Sequence, residues 1–188
     1  MYSSSVLLIV SLFSTTTSII IVDRIEINTN PNIVNMTIEL LNDGVHSTLI
    51  NSIFQTKVVL TKIKMITLVK VPEDNKDHKY LRVIYRVSMD IGEYIIKGTV
   101  KNMFTQKLSD GIIKALDFEP RFPFPIGTFS ISNYTPPDDL LKMLPTTRVI
   151  KGMIESRYDV KILNDKRKSV IACSWKAYGE VRPNKVNN

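Results

Sequence analysis

The chain has little of what small extracellular folds and most hydrolytic or metal-dependent sites are built from. Cys173 is its only cysteine, so no intrachain disulfide can form and stability must come from an apolar core. Its two histidines, His46 beside a turn and His78 in a charged loop, are too few for a histidine-based triad or a zinc site and are expected to be solvated. The few glycines, Gly111, Gly127 and Gly152 among them, do not assemble into a phosphate-cradling loop. Asp138 and Asp139 are adjacent carboxylates, but they follow two prolines and read as the opening of a turn rather than an acid/base pair. No catalytic residue, metal ligand or cofactor is therefore expected.

Charge is absent from residues 1 to 22. Within them Val6-Leu-Leu-Ile-Val-Ser-Leu-Phe13 is an apolar run followed by small polar residues up to Ser18. That is the size of a signal-peptide core and too short to span a bilayer. The expected organisation is a signal peptide over residues 1–18 and one β domain over 19–188, with Ile19-Ile-Ile-Val22 as its first strand. A buried first strand without a leader is the alternative. No other segment qualifies as a membrane span.

What is present is ordinary globular material: 44% hydrophobic and 23% charged residues exclude disorder and collagen-like chains. The net charge of +7 survives removal of a charge-free leader. A basic extracellular domain meets anionic membrane surfaces, glycans or acidic receptors. Lys166-Arg167-Lys168 follows Asn164-Asp165 between two strands and reads as a solvated hairpin tip. No nucleic-acid motif accompanies the charge, so no nucleic-acid partner is expected. In a secreted chain Asn35-Met-Thr37 and Asn133-Tyr-Thr135 are glycan acceptors.

Period-two alternation dominates. Asn35, Thr37 and Glu39 alternate with Met36, Ile38 and Leu40. Leu81, Val83, Tyr85, Val87 and Met89 form one face of a strand, and Ile150, Gly152, Ile154, Ser156, Tyr158, Val160 and Ile162 one face of a longer one. Residues 57–71 are expected to pair with 80–90, and 148–162 with 169–181. Cys173 shares a parity with Ile171 and Trp175, which makes it a buried small hydrophobe. An intermolecular disulfide is the other use open to it.

In Phe122-Pro-Phe-Pro-Ile-Gly-Thr-Phe129, Pro123 and Pro125 fix φ and withhold two backbone donors. The segment cannot sit inside a sheet and must lead into a strand opening at Gly127. One helix is expected, from Val100 to Leu116, where Val100, Met103, Phe104, Leu108, Ile112, Ile113 and Leu116 fall at helical spacings. The loop from Tyr134 to Pro145 carries Leu140, Leu141, Met143 and Leu144, which either cap the core or rim an opening.

The order of these features carries a resemblance. It runs Asn35-x-Thr37, Met89-Asp90-Ile-Gly92, an amphipathic helix, the Phe122 to Phe129 segment, Ile131-Ser-Asn-Tyr134, Leu144-Pro145, Ile150-Lys-Gly152 and Cys173 to Tyr178. Over residues 25–182 the chain resembles insect secreted proteins of the ML lipid-recognition superfamily, in particular uncharacterised and chemosensory members related to the ganglioside activator protein. Those relatives read Asp-x-Cys before the helix and Cys-Pro-x-x-x-Gly after it. Gly92 and Phe122 stand at the two cysteine positions here, so the resemblance implies that both halves of one disulfide have gone together.

The resemblance further implies a mainly β fold, a two-sheet antiparallel β-sandwich or β-cup, with a lipid or other small hydrophobic ligand between the sheets and no catalysis. Its lining is expected from Tyr85, Val87, Met89, Ile154 and Tyr158, with Phe122, Phe124, Leu141 and Met143 at the mouth. The expected function is a secreted carrier or presenter, in chemosensation or lipid transfer. The alternative is a secreted interaction protein with a filled core that binds a receptor or anionic glycan through its basic surface. Inward faces rich in Ile, Val, Met and Tyr serve a solid core and a pocket equally well.

Overall fold

Alternating apolar and polar side chains, separated by turn residues, produce two antiparallel sheets. The computed structural model describes residues 18–73, 79–98, 103–135, 149–166 and 169–183, apart from the side chains of Phe104 and Leu108. In chain order the elements are β1 (Ser18–Thr29), β2 (Val34–Leu41), β3 (Leu49–Thr56), β4 (Leu60–Val71), β5 (Arg82–Asp90), α1 (Ile91–Lys97), α2 (Met103–Ala115), β6 (Gly127–Tyr134), β7 (Ile150–Ile162) and β8 (Val170–Pro183). One sheet has the order β1-β8-β7-β4-β5 and the other β2-β3-β6. They face each other as a sandwich, not a closed barrel.

The β4–β5 and β7–β8 hairpins form as the alternation requires. Ser18, which the sequence places in the leader, is already the first residue of β1 and pairs with Pro183. The outer edge of β1 is covered by the segment before β3: the Ile20 N–H donates to Ser47 Oγ at 3.1 Å and the Val22 N–H to Thr48 Oγ1 at 2.9 Å. At Gly179 on β8 the chains run so close that an added Cβ would meet the Ile21 carbonyl oxygen at 2.1 Å, and only glycine fits.

The single expected helix is two. Asp90 ends β5 and caps α1 by accepting the Glu93 N–H at 3.2 Å, and Gly98 closes it at φ 68° with its N–H on the Tyr94 carbonyl at 2.7 Å. The second helix, α2, coincides with the amphipathic stretch. Tyr94 Oη donates to Asp110 Oδ1 at 2.5 Å, and Gln106 Nε2 donates to the Gly98 carbonyl at 3.1 Å and to Asp110 Oδ1 at 2.9 Å, which ties the two helices together. Below α2, Asp117 accepts from the Ser130 N–H at 3.0 Å and from its hydroxyl, fastening the helix end to β6.

Phe124 is the only residue of Pro123–Pro125 with a backbone N–H, and it spends both backbone groups on Leu60: N–H to O at 2.9 Å and O from N–H at 3.0 Å. Three residues on, Gly127 pairs with Thr56 of the other sheet. Between them the Thr56 hydroxyl donates to the Pro125 carbonyl at 2.6 Å and accepts the Gly127 N–H at 3.1 Å. The segment thus straddles the corner where β3 turns into β4. Phe54, Phe118, Phe124 and Phe129 cluster behind it with ring centroids 4.5 to 6.2 Å apart.

A bulge changes one expected parity. Tyr158 pairs with Cys173 but Asp159 with Ile171, so Ala172 is the extra residue of β8. Ala172 and Cys173 are both buried while Ile171 is 52% exposed on the other face. Cys173 is the buried small hydrophobe that was expected, though not on the face of Ile171.

Candidate functional site: an apolar cavity between sheets and helices

Cross-strand register stacks the inner face of the five-stranded sheet into rows. Met65, Met89, Tyr158 and Cys173 form one, Thr67, Val87, Ser156 and Trp175 the next, and Val69, Tyr85, Ile154 and Ala177 a third. The first row is the floor of a cavity of about 210 Å³. Val34, Met36, Phe54 and Ile131 form the opposite wall, from the three-stranded sheet. The helices roof it with Ile91, Tyr94 and Ile95 of α1 and Ser109, Ile112 and Ile113 of α2, and Leu60, Phe118, Pro120 and Phe124 close the side near the β3–β4 corner. Among the described residues no charged side chain lines it.

The helices cover this space because their apolar stripes have no other surface. Ile112, Ile113 and Leu116 of the expected amphipathic stripe face the cavity or its rim. Tyr94 is buried, and its bond to Asp110 together with desolvation pushes its hydroxyl pKa upward, desolvation being the larger cause. Burial likewise raises the Tyr158 hydroxyl to about 12 and the Cys173 thiol to about 11. These groups are neutral over the physiological range, and none of the described lining residues is ionised.

Of the expected lining residues, Met89 and Tyr158 stand on the cavity floor and Phe124 in its wall. Phe124 is 6% exposed, part of the interior rather than of a mouth. Val87 and Tyr85 lie on the same sheet face in the second and third rows, outside the lining, and Tyr85 Oη is bonded to Thr105 Oγ1 at 2.7 Å. Ile154, in the third row, is 36% exposed and does not line the cavity. Parity put these three on the correct face but gave no position along it; between them and the floor lies the buried Thr67–Ser156 hydroxyl pair, 2.8 Å apart. Phe122 packs against the core and against Gly92 without reaching the cavity. Leu141 and Met143 lie outside the described residues, as do His78, Asp138 and Asp139.

Lining residues that the sequence reading missed come from the three-stranded sheet, from β4, from α2 and from α1; the signal for α1 was present, since Asp90, with Glu93 three residues on, opens a helix and Gly98 ends it. The candidate glycan acceptors are both exposed. Asn35 lies on the solvent parity of β2, as expected. Asn133, near the end of β6, adopts φ 53° and donates its N–H to Asn51 Oδ1 at 2.8 Å. It borders a polar groove of about 460 Å³ between α2 and β6, with Lys107, Asp110 and Lys114 on the helix side. His46 is exposed and its Nδ1 lies 2.6 Å from Asp43 Oδ2. Among the described residues no three His, Cys, Asp or Glu side chains gather as metal ligands, and no helix is long and apolar enough to cross a membrane. Compared with models of known protein families and with curated proteins, the sequence matches none.

Proposed function

We propose that this chain is a non-enzymatic binding protein that carries or presents a small hydrophobic ligand in the cavity between its sheets. The observation that carries the reading is a space of about 210 Å³ between the sheets whose described lining residues include no charged side chain. Its walls are almost wholly apolar, so a hydrophobic occupant that displaces water from them gains about 25 cal/mol per Å² of apolar surface buried. Met36, Met65 and Met89 give the lining side chains that adapt to a guest.

An extracellular setting and membership of the ML lipid-recognition group belong to the same proposal. The apolar leader-like segment and the exposed Asn35 acceptor support the first. The second is supported by Gly92 and Phe122, which the resemblance pairs as a lost disulfide and which touch in the fold. A basic surface suits delivery at an anionic membrane or receptor. The filled-core interaction protein, the alternative reading, has no comparable observation behind it.

Native mass spectrometry of the protein made through a secretory pathway, followed by organic extraction, tests the reading. Extra mass that disappears on extraction is expected. A bare chain that stays unliganded after incubation with mixed hydrophobic compounds overturns it.

A further inference from the structure

Cross-strand register also lays out the face of the five-stranded sheet turned away from the cavity. Lys64 stands between Asp90 and Asp159, Ile66 between Ser88 and Arg157, and Leu68 between Arg86 and Glu155, with Lys176 and Glu26 continuing that last row. Lys62 pairs with Lys161 beyond one end, and Lys70 aligns with Met153, Tyr178 and Arg24 beyond the other. Every carboxylate in these rows is taken: Asp90 by Lys62 at 3.4 Å, Asp159 by Arg157 at 3.0 Å, Glu26 by Arg24 at 3.2 Å, and Glu155 by Lys70. Lys64, Arg86, Lys161 and Lys176 are left without an acidic partner among the described residues; the first three are exposed and Lys176 is half-buried.

The outer face of the three-stranded sheet is the reverse. Asn35, Gln55 and Thr128 form one row, Thr37, Ile53 and Ser130 the next, and Glu39 and Asn51 a third, with the Glu39 carboxylate as their one charge. Positive charge is thus in surplus on one side of the sandwich and absent from the other, an asymmetry that steers a polyanion to the five-stranded sheet.

We infer that this basic face docks a sulfated glycan chain. From Lys161 to Lys176 the unpaired cations extend over three two-residue steps, about 20 Å along the strands, which suits a chain of several sugar units rather than a single anion. Successive strands rotate by about 20–25°, so five strands turn the face through about 80–100°. A flexible polyanion follows that turn, whereas a flat bilayer meets only part of it. Nor do these rows offer a free ring for insertion into lipid: Tyr178 lies under the Arg24 guanidinium at 4.2 Å and against the ring of Tyr80. The choice of a glycan rests on the extracellular setting proposed above; the position of the face does not, and it holds whether or not the cavity is occupied. The Asn35 acceptor lies on the opposite sheet, so a glycan carried there leaves the basic face clear.

The test uses the full chain, size-defined heparin oligosaccharides, and phosphatidylcholine vesicles containing phosphatidylserine. Combining Lys64→Gln, Arg86→Gln, Lys161→Gln and Lys176→Gln is expected to weaken heparin binding about tenfold or more at physiological salt and to flatten its salt dependence. A matched variant, Lys57→Gln, Lys97→Gln, Lys114→Gln and Arg121→Gln, removes the same charge from outside this face and is expected to stay within about threefold of the unmodified chain. Equal losses in the two variants, or an unmodified chain that does not bind heparin at physiological salt, overturn the inference. Vesicle binding as tight as heparin binding, and lost in the first variant, reassigns the face to a bilayer and overturns it too. Should the first variant not fold, amine acetylation of the unmodified chain decides: heparin is expected to protect Lys64, Lys161 and Lys176 and to leave Lys97 and Lys114 reactive, and uniform or reversed protection overturns the inference. The ligand-holding reading stands in each of these cases, because bound mass tests it separately, and the state of Asn35 tests the extracellular setting.

Discussion

The ring of Phe122 lies over Gly92 so closely that a Cβ added there would come within 2.8 Å of it. Gly92 is the second residue of α1, and Phe122 opens the segment that crosses to β6, so the contact joins the roof of the cavity to its side. Gly92→Ala drives a methyl into a ring packed on the core and is expected to cost about 1–3 kcal/mol by urea denaturation. Phe122→Ala relieves the overlap, and the double variant is expected to be less destabilised than the sum of the two.

The same contact predicts a cross-link. Gly92→Cys combined with Phe122→Cys is expected to form a disulfide under mild oxidation, closing a loop of about thirty residues and adding up to about 3 kcal/mol. Intact mass and thiol counting read it directly. Two thiols that remain free in the folded double variant would mean that the two Cβ atoms stand farther apart than a disulfide spans.

Thr67 and Ser156 face each other on adjacent strands, both buried, with their hydroxyl oxygens 2.8 Å apart. Thr67→Val strands the Ser156 hydroxyl and is expected to cost about 1–3 kcal/mol. Replacing both, Thr67→Val with Ser156→Ala, removes donor and acceptor together and should cost less than the two single changes added. Additive losses would mean that the two hydroxyls do not depend on each other.

Burial raises the Cys173 thiol from 9.0 to about 11. Between those values the unfolded chain has lost the proton and the folded chain still holds it, so stability falls as pH rises across the window. Tyr158, raised from 10.0 to about 12, extends the decline in the same direction. Urea melts at rising pH are expected to show flat stability below about pH 9 and a fall above it, and Cys173→Ala should delay the onset. At neutral pH the native thiol should react with a maleimide orders of magnitude more slowly than the unfolded one.

If the chain passes through a secretory pathway, Asn35 on the exposed face of β2 is expected to carry a glycan. Asn35→Gln then removes that mass without changing ligand binding, since the side chain points away from the cavity. A chain retained inside the cells with Asn35 bare would count against the extracellular assignment.

Period two was enough to read the two hairpins from the sequence, because their strands alternate between two faces, whereas the two-sheet arrangement was implied only by the resemblance. The alternation could not read distance along a strand, so Tyr85, Val87 and Ile154 were grouped with Met89 and Tyr158 although they lie one or two rows beyond the cavity floor. Nor could it read the extra residue at Ala172, which puts Ile171 and Cys173 on opposite faces. The first helix was missed for another reason. With only seven residues between Asp90 and Gly98, Ile91–Lys97 is too short to show a helical period, and its caps were the only signal. Whether the interior is hollow depends on how far apart two sheets are held, which no local pattern encodes.

In an extended segment successive N–H groups point to opposite sides. Phe124 aims its own at Leu60, so the outward edge of that segment belongs to Pro123 and Pro125, neither of which has an N–H. A stray strand from another molecule finds no donor there, and the Pro125 carbonyl is already taken by the Thr56 hydroxyl, so templated growth cannot start at the corner that joins the sheets. With β1 screened by Ser47 and Thr48, two exposed borders of the sandwich are closed to strand addition. For a chain that cannot rely on internal disulfides, protection from aggregation begins with two missing hydrogens.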